Sequence, residues 1–260
     1  MKSHYEFMKT SAELFSIKNE TAVVIGATGV LGGALAEGLA AAGAKVAVLG
    51  RNEERGQARV KAIKDAGGNA AFFPCDASSR ESLAGAHKKI EAALGAPTIL
   101  VNAAGGNDPK VTVTPENPFE KIPLEALNAN FDLNLVGGAF LPCQEFGPAM
   151  CQRGRGSIIN IASVTAHLPL SRVVSYSAAK AAVLSLSQFL AREWAQKGVR
   201  VNTITQPSEG GPIAAGTQET RDPVIKSYFD KKIQYDDIRH DVGLLQRLLG
   251  TGSDSVNTDA

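Results

Sequence analysis

The residues best equipped for proton chemistry stand together at Tyr176-Ser177-Ala178-Ala179-Lys180. On a helix, positions i and i+4 share a face, so the phenol and the ammonium would stand one turn apart. A nearby positive charge stabilises a phenolate and lowers a tyrosine pKa from its reference of roughly 10, which a phenol needs if it is to exchange protons with an alcohol near neutral pH. The spacing alone does not single out Tyr176, because Tyr5 with Lys9 and Tyr228 with Lys232 repeat it. Context does: Tyr176 opens a long helical run, and Ser163, thirteen residues earlier, ends the apolar run SIINIAS. Ser163 is placed to hydrogen-bond a substrate oxygen and orient it; the alternative is a loop serine capping a neighbouring amide. Asn134, in FDLNLVGG, is a polar residue inside an apolar helical pattern. It either holds a water that links Lys180 to bulk solvent or satisfies a buried backbone group.

A second constellation suits phosphate. The first apolar run ends in Gly26-Ala27-Thr28-Gly29-Val30-Leu31-Gly32-Gly33, and a helical run follows at once. Missing β-carbons let the chain reverse tightly and let backbone N–H groups approach a pyrophosphate at the start of the helix. Gly26, Thr28, Gly29, Val30, Leu31 and Gly32 are therefore candidate contacts of a dinucleotide. After the second apolar run the text reads Leu49-Gly50-Arg51-Asn52. There is no carboxylate to accept from an adenosine 2′-OH, and Arg51, with Asn52 beside it, suits a 2′-phosphate, which favours NADP(H) and leaves NAD(H) as the alternative. Asp76, followed by Ala77, ends the third run, where it would accept from an adenine amino group or form a turn. In Asn102-Ala103-Ala104-Gly105-Gly106 the small residues leave room for a flat cofactor, and Asn102 can tie adjacent strand ends.

These residues need a frame that brings them to one edge. Short apolar runs at 22–26, 46–49, 70–73, 98–102, 157–163 and 199–204 alternate with amphipathic, alanine-rich stretches at 31–42, 53–66, 80–94, 131–152 and 175–197. Continuous apolar runs are what strands buried on both faces look like, and strand-helix repetition with right-handed crossovers gives a parallel sheet with helices on both faces. The reading is an α/β, Rossmann-type, doubly wound sheet over 17–205, preceded by an extension at 1–16. The segment 206–260 is polar and divergent, reads as partly disordered, and has one expected helix near 236–249.

Composition limits the partners. Among 260 residues, 27 Lys plus Arg face 26 Asp plus Glu, for a formal charge of +1, so the basic excess of a nucleic-acid binder is missing. Cys75, Cys143 and Cys151 form no C-x-x-C pair and lie beside no histidine cluster, so neither a disulfide framework nor a metal site is expected. No secretory signal pattern or membrane-length apolar stretch is read, which makes a cytoplasmic location the expectation.

The glycine turn, N-A-A-G at 102–105, the strand-end Ser163 and Tyr176-x-x-x-Lys180, in this order, resemble the short-chain dehydrogenase/reductase family. The resemblance implies an Asn134, Ser163, Tyr176 and Lys180 tetrad, with hydride passing between a nicotinamide and a carbonyl carbon. It also implies that Tyr176 is the proton donor or acceptor and that Tyr176 and Lys180 contact the cofactor, Lys180 at the nicotinamide ribose. A small-molecule substrate and a homodimer or homotetramer go with it. Within the family, GATGVLGGALAEGLA, VNAAGGNDPK, FDLNLVGGAFLPCQEF and YSAAKAAV are most similar to the D-mannonate oxidoreductase group, which interconverts D-fructuronate and D-mannonate. Arg51 stands where an NAD-using member would carry aspartate. Thr205-Gln206-Pro207-Ser208 replaces the usual Pro-Gly after the sixth strand. The other readings are a cofactor-binding sensor or scaffold without turnover, and a reductase of another polyol or oxoacyl substrate.

Overall fold

The computed structural model describes residues 16–168 and 172–206. Expectations for 1–15, including Tyr5 and Lys9, and for 207–260, including the helix near 236–249 and the pair Tyr228 and Lys232, lie outside the described residues.

An apolar run with large side chains on both faces is stable as a strand only when both faces are covered. In β1 (Thr21–Ile25) all five residues are buried, with Ala22 and Val24 in one core and Val23 and Ile25 in the other. With β2 (Lys45–Gly50), β3 (Asn69–Pro74), β4 (Ile99–Asn102), β5 (Gly156–Ser163) and β6 (Val199–Gln206) it forms one sheet of order β3-β2-β1-β4-β5-β6, parallel at every pairing. Helices α1 (Val30–Ala41) and α2 (Glu53–Asp65) place Ala36, Ala40, Val60 and Ile63 against the Ala22 and Val24 face. On the opposite face α3 (Arg80–Leu94) supplies Leu83 and Ile90, α5 (Leu141–Arg153) supplies Phe146 and Met150, and α6 (Val174–Trp194) supplies Leu190. This is the doubly wound α/β Rossmann-type sheet expected from the alternating pattern. From β1 the chain winds outward to β3 and then returns to β4 on β1's other side. The loops after β1 and β4 therefore diverge, leaving a crevice at the carboxyl ends of the strands.

One element differs from expectation. In place of a single helix over 131–152, helical chain begins with α4 (Leu124–Phe131), passes through a π-helical stretch at Asp132–Phe140 and continues as α5. Leu124, Leu127 and Phe131 of α4 stand at helical spacing, but only Asn130 of α4 is fully buried. The wide π turn carries Asn134, and π segments are often found at functional sites. Among the described residues no helix is long and apolar enough to cross a membrane.

Candidate active site

Because all strands are parallel, every candidate segment leaves the sheet at the same edge. Gly26 turns the chain at φ +79, where a β-carbon would lie 2.7 Å from the Ala104 nitrogen. A β-carbon on Gly32 would lie 2.4 Å from the Gly26 carbonyl oxygen, so α1 can start this close to β1 only with glycine there. Gly29 caps α1 without a side-chain hydrogen bond, the first turn holds no acidic residue, and Val30 is exposed. The first N–H groups of the helix are left for an outside acceptor, and the helix dipole favours an anion there. A pyrophosphate fits this cradle. Thr28 sits against Gly50 at the end of β2, and Leu31 is half-buried behind it in sequence.

On the β2–β3 side the polar candidates are engaged in local structure. Arg51 is exposed directly after β2. Asn52 caps α2, its Oδ1 accepting from the Arg55 N–H at 2.8 Å. Asp76 closes a turn, its Oδ1 accepting from the Ser78 N–H at 3.0 Å, while its own N–H donates to Ser82 Oγ at 2.9 Å. Ala77 packs on the core. At the end of β4, Asn102 does tie strands together: its Nδ2 donates to Asn160 Oδ1 of β5 at 2.8 Å, and Asn160 Nδ2 donates to Ser187 Oγ of α6 at 2.8 Å. Ala103 and Ala104 follow, half-buried.

The β4–β6 side is built differently. Asn102 pairs with Asn160, so β5 runs three residues past the end of β4 and carries Ser163 about 10 Å beyond it. Ser163 is buried, its Oγ accepts from the Thr165 N–H at 3.3 Å and so caps the short turn after β5, and it stands close enough to the Tyr176 phenol to lower that group's pKa. Tyr176 lies in the first turn of α6, with Lys180 one turn on. Lys180 is 4% exposed; its Nζ donates to the Ile161 carbonyl at 2.9 Å and lies 5.7 Å from the centre of the Tyr176 ring. Gly105 closes the far side: a β-carbon there would lie 2.7 Å from Asn134 Oδ1 and 3.1 Å from Lys180 Nζ. The structure thus brings Asn134, Ser163, Tyr176 and Lys180 together beside Gly105.

One expectation is corrected. Burial raises the Tyr176 pKa above its ordinary value, and the Ser163 hydrogen bond only partly offsets this. The ammonium is directed at the Ile161 carbonyl, and burial lowers the Lys180 pKa to about 8. The Asn134 side chain satisfies backbone groups. Its Nδ2 donates to the Gly106 carbonyl at 2.7 Å and to the Asn130 carbonyl at 2.9 Å, and its Oδ1 accepts from the Gly106 N–H at 3.0 Å.

Three participants escaped the sequence reading. Asn130 and Ser175, 2% and 1% exposed, border the tetrad. Both were signalled, Asn130 by lying four residues before Asn134 and Ser175 by adjoining Tyr176. The Ile161 carbonyl that holds Lys180 had no signal, because a backbone acceptor has no residue type.

A parallel sheet with an anion cradle after its first strand and a serine, tyrosine and lysine grouped after its fifth defines a nicotinamide-dependent oxidoreductase. Residues 20–221 match the family described as short chain dehydrogenase, and the match extends past residue 205, where the expected domain ended. The chain belongs to that family, whose members are NAD(P)-dependent oxidoreductases acting on small molecules. It is 38% identical over 197 residues to the uncharacterized oxidoreductase UxuB of Bacillus subtilis (strain 168), covering 73% of this chain and 70% of that protein. A candidate D-mannonate oxidoreductase from Haemophilus influenza, solved with bound NAD, superposes with a TM-score of 0.73 at 30% identity, covering 82% of this chain and 79% of that one. A gluconate 5-dehydrogenase from Burkholderia cenocepacia J2315, solved with NADP and tartrate, gives 0.74 at 28% identity over 84% and 83%.

Proposed function

We propose that this protein interconverts a secondary hydroxyl and a carbonyl on a small sugar acid or related polyol, with D-mannonate and D-fructuronate the first pair to test, and that it favours NADP(H) over NAD(H). The carrying observation is the grouping of Ser163, Tyr176 and Lys180 at the edge where the glycine turn forms an anion cradle. In the reducing direction Tyr176 Oη gives its proton to the carbonyl oxygen as that oxygen gains charge; in the oxidising direction the phenolate takes the proton from the hydroxyl. Ser163 orients the reacting oxygen, and Lys180, fixed on the Ile161 carbonyl, keeps positive charge beside the phenol. Bound nicotinamide supplies the hydride that the carbonyl carbon receives, or takes it back in the reverse direction.

The raised Tyr176 pKa supports reduction near neutral pH, because the phenol then holds the proton it must donate. The two solved relatives named for mannonate and gluconate support a sugar-acid substrate. The cofactor preference rests on Arg51, exposed at the β2 exit where no carboxylate stands against a 2′-phosphate. That members of the family are commonly oligomers supports a homodimer or homotetramer, which light scattering tests.

Nicotinamide absorbance with a panel of aldonates, ketouronates and polyols tests the reaction. Turnover that disappears in Tyr176→Phe while NADPH still binds is the expected result; cofactor binding without turnover on any member, unchanged by that substitution, would leave the sensor or scaffold reading. For the cofactor, Arg51→Asp is expected to weaken NADPH about tenfold or more and to spare NADH. Equal affinities in both proteins would remove the role given to Arg51.

A further inference from the structure

Two hydrogen-bond donors from different elements converge on one buried oxygen beside the tetrad. Asn130 Oδ1 lies 3.2 Å from Asn134 Nδ2 and 3.3 Å from Ser175 Oγ. Asn130 belongs to α4, Asn134 to the π-helical stretch and Ser175 to the first turn of α6, and each is no more than 2% exposed. Water therefore does not replace a lost partner readily, and an unmatched donor at this place costs about 1–3 kcal/mol.

The hydrogen bonds also fix which end of the Asn134 carboxamide points where. Its NH2 group faces three oxygens, the carbonyls of Asn130 and Gly106 and Asn130 Oδ1, while its oxygen accepts from the Gly106 N–H. The reversed amide would set an oxygen against three oxygens and an NH2 against an N–H, so only one orientation is satisfied. In that orientation the Asn134 oxygen faces the space next to Gly105 that Lys180 Nζ also borders. An acceptor oxygen there favours the ammonium, whose charge burial opposes. The same Asn130 oxygen holds Ser175, and with it the turn of α6 that carries Tyr176.

We propose that Asn130 is a positioning residue of this active site, its side-chain oxygen setting the orientation of the Asn134 carboxamide and the seat of the first turn of α6, and through them the placement of Lys180 and Tyr176. The inference rests on the oxidoreductase reading for its consequence in turnover, and on geometry alone for its consequence in proton affinity. Replacement by leucine removes the oxygen at similar volume; replacement by aspartate keeps an oxygen for both donors. A purely structural role would lower the melting temperature and leave the titration of the site unchanged.

The test combines turnover with phenolate difference absorbance, in which the signal of Tyr176 is isolated by subtracting Tyr176→Phe. Asn130→Leu is expected to lower kcat about tenfold with NADPH affinity held within about twofold, and to move the Tyr176 titration by about half a unit or more. Asn130→Asp keeps an oxygen for both donors but sets another against the Gly106 carbonyl, to which Asn130 Nδ2 donates at 3.4 Å, and is expected to recover part of the turnover. Ser175→Ala, a small change that opposes the same oxygen from the other side, is expected to lower kcat about threefold, and the Asn130→Leu, Ser175→Ala double variant to be no worse than Asn130→Leu alone. A folded Asn130→Leu with wild-type kcat and titration would overturn the proposal, as would fully additive losses or a loss confined to melting temperature. If the wild type turns over no substrate of the panel, the oxidoreductase reading fails, and the phenolate titration still decides the role of Asn130.

Discussion

On the β2–β3 side of the crevice, the polar residues at the strand ends belong to local structure: Asn52 caps α2 and Asp76 closes a turn. On the β4–β6 side, Lys180 and Asn134 are buried and bonded to partners distant in sequence, and Ser163, itself a local cap, is buried beside them. Local bonds of the first kind form wherever the chain makes that turn. Long-range bonds among buried polar groups exist only if the whole fold assembles them, and their geometry is fixed by packing. Under the proposed function, recognition on the first side rests on backbone N–H groups and one exposed arginine, whereas chemistry on the second rests on side chains held in low-dielectric surroundings. Polarity at a strand end is thus a weak sign of function, and burial of a polar group without a local partner a stronger one.

Substitutions on the two sides should separate accordingly. Tyr176→Phe, measured by steady-state turnover and by cofactor titration, is expected to lower kcat about 10³-fold or more with cofactor affinity changed less than about twofold. Lys180→Met should lower turnover about 10²-fold and yet make the free protein more stable at pH 7. Burial holds the folded Lys180 pKa at about 8, below its ordinary value, so the unfolded chain binds the extra proton between these two pH values. Native stability rises with pH through that window, and the penalty is complete below it, about 3 kcal/mol before the lost bond to Ile161 is deducted. Denaturant melts of both proteins at pH 7 and above pH 10 should show the variant's advantage only at the lower pH. A variant that is less stable at both would show that the ammonium is not strained by burial.

Gly32→Ala tests the cradle. Its β-carbon would meet the Gly26 carbonyl at 2.4 Å, so α1 must shift, and NADPH affinity is expected to fall about tenfold, read by fluorescence titration. The smallest effect belongs to Asn52→Ala, which should cost about 1 kcal/mol of stability through the lost cap and leave cofactor affinity within about twofold. A large loss of affinity there would break the comparison, because it would give a capping residue a direct part in binding.

Much of the fold was legible because its signals are local and periodic. Runs such as AVVIG and TILVN required strands buried on both faces, and the glycine spacing after the first required a tight turn into a helix. The α4 segment showed only a short helical period, Leu124, Leu127 and Phe131, since eight residues give little more than two turns of signal. At the site, the types and spacing of Ser163, Tyr176 and Lys180 were enough to group them. Their acidities were not readable: the sequence placed a lysine near a tyrosine and implied a more acidic phenol, while burial of both reversed the sign for Tyr176.

The sequence by itself determined the alternation of strands and helices, the glycine cradle and the residue types available for proton transfer, because each depends on neighbours within a few positions. Only the tertiary structure decided that Ile161 holds Lys180, that Asn134 is turned with its oxygen toward Gly105, and that Asn130 receives both Asn134 and Ser175. Those outcomes depend on solvent exclusion and on distances between elements far apart in the chain, which no local pattern encodes.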